Sequence, residues 1–533
     1  MSRLARTIGG RPLTKEYGTL KPLAAGQSSI SPVYNVRKDF GAVADGSTED
    51  TQAIRNAVQA AMVSGGTVYF PRGTYLTDTI NFYPDNTNGV VTWGRVHIMG
   101  DSSASYPATQ DSDLGTQIIH KDGSANPLFN FDNPDHDDTA SQDIRNVTIE
   151  QMLLVSGTTT THLIYFHGGT NINRVRDCFL RMTHDGCNGI TLDSCWHMML
   201  ENLRIFSTAA GGTGQTDSQI GVYCKPTISE GTMNMIIMDN LDIYKVQRGI
   251  QIGHTATGGS TDFIGPVIIR GGQIAITNDI GLYIGDRVQG VLVDGMHFEQ
   301  TYLAALAISN DCNNISVRGC HFNDNGEDGS AYNVEIGNQG DHKVYNVSLR
   351  NLYFNTCARG IYVDTDADMD NISIDHIDLD PETNTVGTGI KIESVTQYVS
   401  KITLGPNIRY SVGGNAFATD LDDANNNAAR SMTDYRTYVL SGGETSVDTT
   451  HRRTIRFNNG GATTVTDFTN GYQGQVIEIM FANTNTTIAN NGGTTNDNIR
   501  IAAGANYTPS SAFKTLTLKC SGTTNGWYEL GST

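Results

Sequence analysis

The sequence predicts an all-β chain built as a single-stranded parallel β-helix, and three observations predict it. First, nine segments between Ile149 and Leu379 repeat one pattern: apolar, charged, any residue, apolar, any residue, apolar. The charged members are Glu150, Arg176, Glu201, Asp239, Arg270, Asp294, Arg318, Arg350 and Asp375. Second, a further short apolar strand follows in most units, as "GITL" at 189–192, "GIQI" at 249–252, "GLYI" at 281–284, "NVEI" at 333–336, "GIYV" at 360–363 and "GIKI" at 389–392. Third, helical period is absent there and the turns are rich in Gly, Asn and Asp. Units recurring every ~24 to ~38 residues bury a core only by stacking on one another. Leucine-rich repeats are the competing architecture, but they require a regular Asn/Cys turn and a helical segment per repeat, and neither recurs. The period within each unit reads as two, which turns the charged residue outward and its neighbours inward. The charged column therefore reads as structural, pairing and solvating a sheet face.

Residues 1–33 are polar, Gly/Pro-punctuated and locally basic, and read as a flexible arm or an attachment segment. Residues 34–85 form a capping segment. In it Ser47 or Thr48 can start a helix whose apolar face holds Ile54, Ala57, Val58 and Ala61, ended by "SGG" before the strand "TVYF". Such a helix covers the end of a β-helix core. The solenoid occupies 86–425, and "DLDDANNNAARSMTD" breaks the pattern, giving a linker at 426–434. Residues 435–533 alternate strands and turns and predict a separate antiparallel, sandwich-like β domain. Trp527 and Tyr528 within it suit core packing better than stacking on a sugar.

Gly at 58 residues fits a turn-dense β protein, and a net charge of −19 argues against nucleic acid as a partner. The eight cysteines show no metal or disulfide spacing; Cys178 and Cys320 fall on the inward column as small apolar filler. A reducing cytoplasm is the expected folding compartment. Neither a signal-peptide core nor a membrane-spanning apolar run is evident, so no membrane insertion is expected.

The segment "VRKDFGAVADGSTEDTQAIRNAVQAAMVSGGTVYFPRGTYLTD", residues 36–78, resembles the N-terminal signature of the pectate-lyase-like β-helix superfamily, particularly bacteriophage tailspikes and capsular depolymerases. With the coils behind it, the resemblance covers roughly residues 36–425. It implies a right-handed helix and a homotrimer that binds and cuts a bacterial capsular or O-antigen polysaccharide. It also implies a virion location, with the N-terminal arm meeting a phage tail or baseplate protein. The C-terminal domain resembles fibre modules that assist trimerisation or bind sugar. Neither the polygalacturonase "NTD…DD…GHG…RIK" series nor the "WxDH" of calcium-dependent pectate lyases is present, so neither activity transfers.

Glycoside hydrolysis needs two carboxyl groups flanking one bond. Glu299 stands one place beyond inward Phe298, and after inward Phe322 the turn "NDNGEDGSAYNVEI" is about four residues longer than its counterparts. Protrusions on a regular scaffold carry function. Glu299, Asp324 and Glu327 are the catalytic candidates. Asp328, His297, His321, Tyr283, Glu335 and Tyr362 are the candidate substrate-binding residues, expected at outward positions around one groove. A plain solvated turn is the competing reading of the insertion, and a site built between subunits is a further one. Two rivals exist: His184 and Asp185 in "MTHDGCNG", near Trp196 and His197, as a lyase base; and Asp364, Asp366, Asp368 and Asp370 as a calcium loop, which lacks the EF-hand continuation. No cofactor or metal is expected. Hydrolysis leads; β-elimination on a uronic-acid sugar and a binding-only fibre are the alternatives.

Overall fold

The computed structural model describes residues 31–532 apart from short segments, the longest being 83–94, 103–114, 133–144, 209–218, 254–262, 410–418 and 424–436. Nearly all of the expected arm and the linker thus lie outside the described residues.

From Val33 to Asp423 the chain winds as a parallel β-helix. A 22-stranded sheet and a 12-stranded sheet run along it, and every pairing in both is parallel. The predicted second strands fall in the 12-stranded sheet, for example Asn188–Asp193, Arg248–Ile252 and Val334–Ile336. Glycines open several of them because the next coil passes too close for a side chain. A Cβ on Gly249 would lie 2.5 Å from both the Gly281 carbonyl oxygen and Ile274 Cγ2.

The nine charged residues form one continuous in-register column, from Glu150 beside Arg176 to Arg350 beside Asp375. Signs alternate in part, and Arg318 pairs with Asp294 at 2.9 Å. The simple period of two is corrected. Each charged residue is followed by a left-handed corner, including Asp177, Asn202, Asn240, Gly271, Gly295, Gly319 and Asn351 at φ between 51° and 71°. Asn, Asp and Gly tolerate that conformation best. The corner consumes one residue, so the inward phase restarts two places after the charge rather than one. Side chains there also bond along the axis: Asn240 donates to Asn202 at 2.9 Å, and Asn202 to Asp177 at 3.1 Å.

Inward columns stack into a single core. Phe298, Phe322 and Phe354 lie face to face at 5.0 and 4.6 Å. Cys178 and Cys320 fill the core as expected, and burial pushes the Cys178 thiol up to about 12. Among the described residues the one α-helix, Thr51–Ser64, buries Ile54, Ala57, Val58 and Ala61 in this same core. Its N-cap is Asp50, not Ser47 or Thr48, whose backbone N–H groups both bond Asp45 in the preceding turn. The Asp50 carboxylate instead accepts the N–H groups of Val43 and Ala44 at 2.6 and 3.0 Å.

The C-terminal region has its own core, around Phe457, Phe468, Ile479 and Trp527. Its six-stranded sheet is mixed, which corrects the antiparallel expectation: Thr437–Leu440, Thr454–Phe457 and Val476–Phe481 pair in parallel, as do Ile499–Arg500 and Trp527–Ser532, whereas Lys514–Cys520 is antiparallel to both of its neighbours. Alternating hydrophobicity is the same for both pairing senses, so it does not distinguish them. Trp527 is fully buried and donates to the Phe468 carbonyl at 2.9 Å, as core packing requires. No described helix is long and apolar enough to cross a membrane.

Candidate functional site

Four neighbouring strands of the larger sheet, Val267–Thr277, His297–Thr301, His321–Asn323 and Lys343–Cys357, build the surface around Glu299. Their register sets two outward columns side by side. One runs Gln273, His297, His321, Tyr353; the other Ala275, Glu299, Asn323, Asn355. The rings of His297 and His321 stack at 4.8 Å, and His321 meets Tyr353 at 4.9 Å. Burial lowers the His321 pKa, the neighbouring His297 lowers it further, and Glu299 pulls it back up.

Glu299 is partly exposed and held by amides. Gln273 Nε2 donates to one carboxylate oxygen at 2.8 Å and Asn323 Nδ2 to the other at 3.4 Å. Asn355 in turn donates to Asn323 at 2.6 Å. Among the described residues Glu299 forms no ion pair. The arrangement therefore fixes a carboxylate beside two imidazoles, with donors that orient it and with Tyr353 two coils farther along the neighbouring column. Gln273, Asn323, Asn355 and Tyr353 were missed by sequence reasoning; their signal was their place in the same outward columns as His297 and Glu299.

Asp324 lies at the next corner, in the left-handed conformation (φ 51°), across from Gln300 at the same conformation. Gln300 Nε2 is 3.5 Å from its carboxylate. The residue register-paired with Glu299 is thus Asn323, and Asp324 is one step farther round the turn. Glu327 and Asp328 lie outside the described residues.

The remaining candidates occupy the 12-stranded sheet. Tyr283, Ala307, Glu335 and Tyr362 form one outward column there. The expected single groove is therefore split between two sheets, because the turn after Thr301 carries the chain round an edge before Leu306. Tyr283 is also corrected from exposed to buried: it is 8% exposed, packed with Ala304 and Ala307, and Arg248 lies 5.6 Å from its ring. Tyr362 stacks on Tyr332 at 5.2 Å and donates to Glu393; burial and that bond raise its phenol pKa. Glu335 accepts the Tyr332 N–H at 3.4 Å.

Of the rivals, His184 has both ring nitrogens against backbone carbonyls, of Asp185 at 2.5 Å and Thr160 at 2.8 Å, the setting of a turn brace. Asp366 lies outside the described residues, and among those described no group of His, Cys, Asp or Glu is arranged to hold a metal ion.

Comparison with known proteins bears on this geometry. Residues 33–255 match the family model described as rhamnogalacturonase A/epimerase, pectate lyase-like. Plasmin and fibronectin-binding protein A of Streptococcus pneumoniae is 51% identical over 53 residues, 10% of this chain and 7% of that protein. Mannuronan C5-epimerase AlgE2 of Azotobacter vinelandii is 45% identical over 69 residues, 13% of this chain and 6% of that protein. The chain thus spans less than a tenth of the length of these curated relatives. The phiAB6 tailspike, solved with oligosaccharides of Acinetobacter baumannii surface polysaccharide, aligns at TM-score 0.34 and 14% identity over 60% of this chain and 46% of that one. Residues 33–255 thus resemble this family model, and they lie on a parallel β-helix.

Proposed function

We propose that the chain is a polysaccharide-cleaving tailspike, a homotrimeric virion depolymerase acting by glycosidic hydrolysis on a capsular or O-antigen polysaccharide. The observation that carries this reading is Glu299, a partly exposed carboxylate oriented by Gln273 and Asn323 beside the stacked His297 and His321. The pectate lyase-like match over 33–255 supports a polysaccharide as substrate. In this reading Glu299 attacks the anomeric carbon or activates water, and Asp324 or Glu327 protonates the leaving oxygen. His297, His321 and Tyr353 offer ring faces and N–H or O–H groups to sugar hydroxyls. The N-terminal arm attaches to the phage tail or baseplate.

The test is incubation with host capsule or O-antigen, scoring new reducing ends. Glu299→Gln, Asp324→Asn and Glu327→Gln are then compared with the native chain after trimer assembly is verified by sedimentation. Loss of cleavage by about 10²-fold or more in Glu299→Gln is expected; full activity in all three variants rejects the site. A second reading, β-elimination, is favoured by the lyase-like family description. It is recognised by ultraviolet absorbance of an unsaturated product. Tight binding without cleavage rejects both and leaves a receptor-binding fibre.

A further inference from the structure

The outer surface of the larger sheet changes character along the solenoid axis. In the outward column two residues before the charged one, four successive coils present Met199, Ile237, Ile268 and Leu292 in register, all partly exposed. The three coils that follow place Ser316, Ser348 and Ser373 at the same address. At the adjoining corner Trp196 is 42% exposed and Met235 38% exposed. Met235 holds the left-handed conformation (φ 55°) that Asn314 and Asn346 hold in later coils. The backbone therefore accepts serine and asparagine at these addresses, and folding does not demand the apolar side chains. Contiguous exposed apolar surface of this kind marks an interaction face.

The charges beside the patch bear on what covers it. Arg174 pairs with Glu201 at 3.2 Å, and Arg318 with Asp294 at 2.9 Å. Between these pairs Asp239 and Arg270 stand exposed on adjacent rungs, about 4.8 Å apart. Among the described residues neither forms an ion pair. An aliphatic patch edged by one unpaired acid and one unpaired base is complementary to itself, because a copy of the chain brings the same apolar surface and both charges. Sugar is a poorer occupant, since aliphatic side chains offer no ring face.

We propose that copies of this chain meet at this face, with Met199, Ile237, Ile268 and Leu292 buried against a second copy and Asp239 of one copy paired with Arg270 of the other. An apolar centre with a charged rim is the usual anatomy of such a contact. The proposal rests on the homotrimer reading above, whose contact face it names. Glu299 lies on the next strand, beyond the left-handed corner at Gly295, so the face is separate from the proposed cleavage site.

Sedimentation velocity of the full chain tests it, with circular dichroism to separate loss of assembly from loss of fold. The native chain is expected to sediment as an oligomer. Ile237→Glu and Leu292→Glu, which place a charge in the patch, are each expected to weaken self-association roughly a hundredfold. Ser316→Glu, at the same address one coil beyond the patch, is expected to assemble as the native chain does. Asp239→Arg and Arg270→Asp are each expected to weaken assembly roughly tenfold, and the two together to restore it. A monomeric native chain overturns this proposal and the homotrimer reading together. Native assembly in both glutamate variants overturns this proposal alone, as does a double charge swap no better than its single variants or an equal loss in Ser316→Glu.

Discussion

The imidazoles of His297 and His321 stack at 4.8 Å from adjacent coils, 16° from parallel, and the buried Nε2 of each has no hydrogen-bond partner among the described residues. Two rings so placed resist carrying charge together, and Glu299 opposes that resistance at His321. Proton NMR of the histidine rings checks this. His297→Gln should move the His321 titration upward toward its ordinary value, and Glu299→Gln should move it further down. Identical titration in both variants would show that the rings do not sense one another.

Burial gives a second pH dependence. His120 is 1% exposed, and burial pushes its pKa down to about 4; His162 is pushed to about 4 for the same reason. Between pH 4 and the ordinary value of 6.5, the unfolded chain takes up a proton that folded His120 refuses. Stability is therefore complete above 6.5 and falls as the pH drops through that window, by about 3 kcal/mol for His120 alone. Thermal midpoints measured from pH 7.5 to 4.5, a range of about 3 units around those values, should fall with pH. His120→Gln should flatten the curve, and an unchanged slope would discount this histidine.

Phe322 is fully buried between Phe298 and Phe354. Phe322→Ala removes a ring from a stack that the backbone spacing keeps open, so a loss of about 3–5 kcal/mol is expected, with Phe322→Leu milder. Denaturant unfolding measures it. A loss below about 1 kcal/mol would mean the coils collapse to fill the gap.

Ile172 is 56% exposed at φ 54°, an unusual conformation for a β-branched residue. In later coils the same corner position is held by Asn314, Asn346 and Asn371, at φ 58°, 54° and 60°. Ile172→Asn should raise the thermal midpoint, corresponding to about 1 kcal/mol of relieved strain. A lowered midpoint would show that the exposed side chain has a stabilising contact in the assembled protein.

The solenoid was legible because stacking forces the same residue class into the same place in every coil. The charged column from Glu150 to Asp375 could be aligned by eye and proved to be in register throughout. The corners were not legible as such: Asn202, Gly271 and Gly319 read as indifferent fillers, since a one-residue change of backbone region leaves no hydrophobic trace. The pairing of His297 with His321 was legible in the repeat. The grip of Gln273 on Glu299 was not, because it joins different columns of neighbouring coils and depends on side-chain reach. Tyr283 shows the same limit: an outward address in a strand does not say what lies over it.

The left-handed corners have a consequence for how such a protein changes its chemistry. By restarting the phase in each coil, they make the outer surface a grid, with rungs about 4.8 Å apart along the axis and alternate residues about 6.7 Å apart along a strand. Carboxyl groups on adjacent rungs begin near the ~5 Å separation of retaining glycosidases, while a two-residue step along the strand falls in the ~6.5–9.5 Å range of inverting ones. On this scaffold, stereochemical outcome becomes a matter of address: a pair of substitutions relocates a carboxylate by a whole rung while the backbone stays where it is.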